Sequence, residues 1–260
     1  MLVKLIHTEI KKARHSSTLW FSLIAAGIIP LVLLLVYLIK WEHFVPAAGM
    51  NPWDGFVSQS FGTISTFLFP VYVILLIALN AQLEHKNNSW KKLYALPVKP
   101  WAVYLSKLLF LSGVVLLALL TFSLLILFSG WFSAIIHPEL GFTSYSPDIG
   151  EMVMMFLGLY VAVLGIIGIQ TLVSMLSRNM ILPLGMGILL LIVSGVLVMG
   201  WEDSIYNPYA FPQLFQLGNK GMMDIKQWGT FDVPDVISIL TYLFIGGLSA
   251  FLFARKNIKA

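Results

Sequence analysis

With 260 residues, 58% of them hydrophobic and only 11% charged, and a mean hydropathy of +0.88, the chain is far more apolar than a soluble domain, where about 45–50% is apolar and about 25% charged. The absence of Cys excludes disulfides, thiolate metal sites and redox pairs. A net charge of +4 would suit a nucleic-acid binder, but the basic residues flank apolar runs, where they act as topology signals, and this argues against nucleic acid as a partner.

At the N-terminus, Leu2, Leu5, Ile6, Ile10 and Ala13 recur at helical spacing, with Lys4, Lys11, Lys12 and His15 largely opposite. Residues 1–16 are therefore predicted to form an amphipathic helix lying in the membrane interface. Scattered charges and the lack of a small-residue cleavage site make the segment unlike a signal peptide. Six later stretches reach the roughly 20 apolar residues that cross about 30 Å of hydrocarbon. They lie near 19–38, 61–81, 108–128, 152–176, 181–199 and 236–253. Unbroken runs such as LLALLTFSLLILF favour helices, because barrel strands would alternate in segments of about 10 residues. The expected fold is all-α: one polytopic domain over 1–260, with six transmembrane helices, the interfacial helix and a short cytoplasmic coupling helix.

Thirteen of the 16 Lys and Arg residues fall on one side of this arrangement, leaving Lys40, Lys220 and Lys226 on the other. The positive-inside rule then puts both termini in the cytoplasm and the chain in the cytoplasmic (inner) membrane. Acidic residues show the mirror image, with Glu9 and Glu84 as the inner exceptions.

None of the six predicted stretches contains Asp, Glu, Lys, Arg or His. Ionisable groups inside lipid persist mainly where protons or ions move, so this argues against an ion-coupled transporter. It argues equally against an intramembrane enzyme, whose chemistry needs acids, bases or activated nucleophiles within reach of each other. No catalytic residue and no metal ligand is assigned. Uncharged polar residues do occur, and Thr63, Thr66, Asn80, Thr121, Gln170 and Ser174 are candidates to line a substrate path, against the ordinary role of hydrogen bonding between helices.

Between the second and third stretches runs EHKNNSWKKLYALPVKPWAVYLSK, from Glu84 to Lys107. Ser89 can cap a short helix in which Trp90, Leu93 and Tyr94 share one face, and Pro97 and Pro100 end it. An apolar aromatic face on a cytoplasmic helix binds headgroups or enters a groove on another protein. Glu84 either pairs with Lys86 or a base of the N-terminal helix, or makes a contact that changes with conformation.

In these features the chain resembles the permeases of type-2 ABC exporters. Those proteins combine six spans and an amphipathic N-terminal helix with a coupling segment in which a Glu ends the second span, a Trp follows, and Leu-Pro precedes a Lys in the third helix. Glu84, Trp90, Leu96–Pro97 and Lys107 occur here in that order. Size and loop pattern look most like permeases of bacteriocin or lantibiotic self-protection exporters. The resemblance implies a transporter of two permeases, identical or paralogous, and two cytosolic ATPases, with Glu84, Trp90, Leu93, Tyr94, Leu96, Pro97 and Lys107 as the ATPase-coupling residues. It implies no cofactor on this chain, and ATP and Mg on the partner ATPase. In agreement, no G-x-x-x-x-G-K-[ST] loop is present.

On the outer side, NPYAFPQLFQLG, residues 207–218, is apolar but too short to span. It reads either as a re-entrant helix, with Phe211 and Phe215 as candidates for an outer gate, or as an interfacial belt of Tyr206, Tyr209, Phe211 and Phe215. Trp41, Pro46, Pro52 and Trp53 in the first outer loop read as interface anchors.

Overall fold

The computed structural model describes residues 1–14, 17–47, 49–86, 99–177, 179–219 and 232–256. All regular structure among them is helical: α1 (Leu2–Arg14), α2 (Ser17–Ile39), α3 (Pro52–Thr63), α4 (Phe69–Lys86), α5 (Pro100–Ile136), α6 (Ile149–Leu176), α7 (Ile181–Val198), α8 (Phe211–Asn219) and α9 (Val233–Lys256). A π-helical turn, Ile64–Leu68, joins α3 to α4. Five helical segments are long and apolar enough to cross a membrane: Thr18–Ile39, Pro52–Leu83, Pro100–Ile136, Ile149–Leu176 and Ile181–Val198. A shorter apolar stretch, Val233–Ser249, lies in α9.

Several of these helices outrun the apolar stretches that announce them. The second begins at Pro52 rather than 61, because Asn51 caps it, its Oδ1 accepting from Trp53 N at 3.1 Å, and Pro52 supplies a first-turn residue that needs no amide partner. Its polar first turns hide it from a hydropathy reading. The third, α5, has 37 residues, or about 55 Å at 1.5 Å per residue, against roughly 30 Å of hydrocarbon. Asp148 caps α6 by accepting from Glu151 N at 3.0 Å.

α2 and α7 turn much of their apolar surface outward, with Trp20 69%, Ile24 62%, Leu189 61% and Val196 67% exposed. Surface of that kind is stable only against lipid or protein. The interior lies between α4, α5, α6 and α9. α6 packs most extensively on α9, where a Cβ on Gly168 would stand 3.1 Å from Tyr242 Cα, so glycine is what lets the backbones approach. Ser238 of α9 completes this seam by accepting from Gly165 N at 2.9 Å and donating to Val161 O at 2.6 Å.

One end of the bundle holds α1 and the start of α5, and is called the basic end; the other holds the α2–α3 and α5–α6 connections, and is called the acidic end. At the acidic end Trp53 is not an interface anchor. It is 0% exposed, its Nε1 donates to Phe142 O at 3.0 Å and Tyr145 O at 3.2 Å, and its ring stands edge-on to Phe142 with centroids 4.8 Å apart. A tryptophan whose N–H is satisfied deep in a fold works as a core residue, not as a headgroup anchor.

Candidate functional site

At the basic end α1 packs on α5 and, less extensively, on α2. Its buried residues are Glu9 and Ala13, while Ile10, expected on the packed face, is 38% exposed and Val3 is 78% exposed. The packed stripe thus runs through Leu2, Leu5 or Ile6, Glu9 and Ala13, with a carboxylate at its centre. Glu9 Oε1 accepts from Lys107 Nζ of α5 at 3.3 Å and from Lys12 Nζ at 2.8 Å. Lys107 is only 1% exposed. Two charges withdrawn together from solvent attract strongly, and their pairing meets much of the desolvation cost that either would bear alone. Lys107, singled out in the sequence as a coupling residue, is thereby held by the N-terminal helix seven residues after α5 begins.

Glu84 lies in the last turns of α4, and its side chain is outside the described set. Trp90, Leu93, Tyr94, Leu96 and Pro97 lie outside the described residues altogether. What the structure fixes is the frame around them: α4 leads into the segment and α5, pinned to α1 through Lys107, leads out of it.

The six polar path candidates do not converge on one surface. Thr63, Thr66 and Thr121 each donate back to their own helix, to Gln59 O at 2.8 Å, Gly62 O at 3.2 Å and Leu117 O at 2.9 Å. Asn80 is half-buried. Gln170 and Ser174 are 0% and 2% exposed on α6, and with Thr171 at 1% they form a polar arc inside the bundle. Gln170 Nε2 donates to Tyr209 Oη at 3.2 Å, whereas Gln170 Oε1, Thr171 Oγ1 and Ser174 Oγ have no partner among the described residues. A missing side chain makes room for this glutamine: a Cβ on Gly187 of α7 would stand 1.9 Å from Gln170 Nε2.

Within residues 207–218 the chain packs inside the bundle. Tyr209, Phe211 and Phe215 are 3%, 2% and 3% exposed, and only Tyr206, at 58%, remains outside. A Cβ on Gly165 would meet Pro208 Cβ at 3.0 Å, and Gly165 lies sixteen residues past Ile149, about 24 Å along α6. The chain therefore dives from α7 to mid-bundle depth before α8 begins. α8 packs on α6 and on the π-helical turn, with the Phe215 ring over Gly158, where an added Cβ would stand 2.6 Å from Cε2. π-turns recur at functional positions because the extra residue re-aims the neighbouring side chains. Nothing in the local sequence marks Ile64–Leu68 as π-helical, so this docking site could not be read in advance.

Long apolar helices with lipid-compatible outer surfaces, a docked N-terminal helix and a short helix packed inside the bundle define a polytopic helical membrane protein. Residues 5–194 match the family described as ABC-2 family transporter protein, and the chain belongs to that family. No curated protein and no solved structure matches it. The matched region takes in the Glu9–Lys107 pair and the segment after Glu84, while α8 and α9 lie beyond it.

Proposed function

We propose that this ABC-2 family protein is the permease subunit of an ATP-driven exporter and draws its energy from a separate cytosolic ATPase that contacts residues 84–97. The observation that carries the reading is the buried Glu9–Lys107 pair inside the family-matched region, because it ties the N-terminal helix to the helix that leaves the predicted coupling segment. A push on that segment would then be delivered to α4, α5 and α1 together rather than dissipated in a loose loop. The basic end faces the cytoplasm of the inner membrane in this reading, with both termini inside. Two permease chains, identical or paralogous, enclose the path, ATP and Mg sit on the partner ATPase, and Phe211 and Phe215 on the re-entrant helix close the outer end. Of the polar candidates, Gln170 and Ser174 are the ones whose burial suits a path-facing role.

The test is a pull-down of the cognate ATPase with the doubly substituted Trp90→Ala, Leu93→Ala chain in detergent. Loss of the ATPase with the chain still folded supports coupling through this segment. Full binding and full ATP-dependent efflux in reconstituted vesicles would count against it. A non-transporting six-helix subunit that recruits a cytosolic partner through the same segment is the second reading, and binding without efflux would favour it.

A further inference from the structure

At the acidic end a cavity of about 620 Å³ opens between the end of α2, the turn that follows it, the start of α3 and the α5–α6 connection. Its apolar side is backed by a run of four rings, of which Phe44 is half-buried and Tyr37, Phe56 and Phe142 are buried. Tyr37 stacks on Phe44 with centroids 4.1 Å apart and meets Phe56 edge-on at 4.8 Å, and Phe56 in turn meets Phe142 at 5.3 Å. The rest of the lining is mixed, with Pro46, Met50 and Pro52 beside Asn51, Asp54 and Gln59. Asp54 is exposed, its Oδ1 accepts from Asn51 Nδ2 at 3.0 Å, and it has no basic partner among the described residues.

The walls are fixed before any ligand arrives. Asn51 ties the start of α3 to the α5–α6 connection by donating to Ser146 O at 3.2 Å, and buried Trp53 holds the same connection through Phe142 O and Tyr145 O. Gly49 and Gly141, at φ 85° and 73°, supply the left-handed turns that bring these loops round the opening. A pre-formed cavity of this size, largely apolar with a few placed polar groups, has the features of a small-molecule site.

Charge says what kind of molecule fits. Residues 37–59 and 137–151, which frame the opening, carry Glu42, Asp54, Glu139, Asp148 and Glu151 against a single Lys40. Negative potential raises the local concentration of cations, and aromatic faces beside a carboxylate hold a cation attached to an apolar body. A zwitterionic lipid headgroup fits less well, because its phosphate would be brought among these carboxylates with one lysine to offset them.

We infer that this cavity binds a water-borne amphipathic cation, with the apolar body against Phe44, Pro46 and Met50 and the charge at Asp54. The site is independent of the coupling reading, since binding is measured on this chain alone, without an ATPase. The probe is tritiated tetraphenylphosphonium, titrated onto the full chain in nanodiscs of phosphatidylcholine, with tetraphenylborate as the anion of the same shape. Saturable binding of the cation is expected. It should weaken about fivefold in Asp54→Asn, the order of effect of one exposed charge pair, and be abolished in Gly55→Trp. Gly55 lines the cavity with open space where its Cβ would be, so a tryptophan there fills the site without disturbing the helix, and an unchanged thermal melt checks this. Cation binding that survives Gly55→Trp overturns the site. Equal sensitivity of tetraphenylborate to Gly55→Trp overturns the charge selection, and displacement of the probe by added phosphatidylethanolamine assigns the cavity to a lipid headgroup instead.

Discussion

Lys107 Nζ lies 3.3 Å from Glu9 Oε1, and the same oxygen accepts from Lys12 Nζ at 2.8 Å, so one buried carboxylate on α1 holds the base of α5. The two lysines are not equivalent. The Lys12 side chain is 44% exposed and that of Lys107 is 2% exposed. Breaking a buried pair from one side strands a charge and costs about 3–5 kcal/mol, whereas an exposed partner contributes at most about 1 kcal/mol. Lys107→Met alone and Glu9→Leu alone are therefore each expected to destabilise the protein in a denaturant titration, Glu9→Leu the more, because Lys107→Met leaves Glu9 its bond to Lys12. The Glu9→Leu, Lys107→Met double variant should recover most of the loss, and Lys12→Ala should change little. Additive single effects would show that the pair does not act as a unit.

A second prediction concerns Gly130. A Cβ there would stand 2.6 Å from both Cη2 and Cζ3 of Trp53, whose ring cannot withdraw because its Nε1 is held by two carbonyls. Gly130→Ala is expected to cost about 1–3 kcal/mol by overpacking. Trp53→Phe, a smaller ring, should relieve part of that cost when combined with it. Thermal melts of the three variants decide: an alanine tolerated in the wild-type background would mean that α3 and α5 slide apart freely.

How far the fold could be read in advance divides along physical lines. Helix identity and the membrane setting follow from apolar runs, because lipid imposes a strong one-dimensional constraint on the chain. Helix ends do not, since Ser58, Gln59 and Ser60 interrupt the apolar signal while the helix continues back to the Asn51 cap. The burial of Trp53 depends on Gly130 and Phe142, far away in sequence, and no local pattern announces such partners. Glu9, by contrast, is legible in the sequence. It sits four residues after Leu5 and four before Ala13, on the apolar stripe itself, and an acid in that register points to a buried base. The short helix α8 lay between, since its length excluded a span but only Gly158 and Gly165 reveal how deep it goes.

The Gln170–Tyr209 hydrogen bond gives a third prediction. Tyr209→Phe removes a partner from a glutamine that is fully buried, and interhelical bonds of this kind are worth about 0.6 kcal/mol on average in membrane proteins. A small loss of that order is expected. Gly187→Ala should cost more, because its Cβ would displace Gln170 Nε2 and also meet Ile74 Cγ2 at 2.7 Å. The Gly187→Ala, Gln170→Ala pair should regain stability relative to Gly187→Ala alone, and a pair no more stable than that single variant would place the strain at Ile74 rather than at the glutamine.

The depth of α8 can be measured directly because the chain has no cysteine, so a single introduced thiol reports without background. Leu214 is 3% exposed within α8, whereas Met199, just before the chain turns inward, is 88% exposed. A membrane-impermeant maleimide is expected to label Met199→Cys fully and to leave Leu214→Cys unreacted. Gly158→Ala puts a methyl group where the Phe215 ring now rests, 2.6 Å from Cε2, so the helix must lift away from α6. Labelling of Leu214→Cys should then rise several-fold while that of Met199→Cys stays constant. Rapid labelling at position 214 without the glycine substitution would mean that the segment lies in the interface instead of inside the bundle, and Phe211 and Phe215 would lose their claim to close the path.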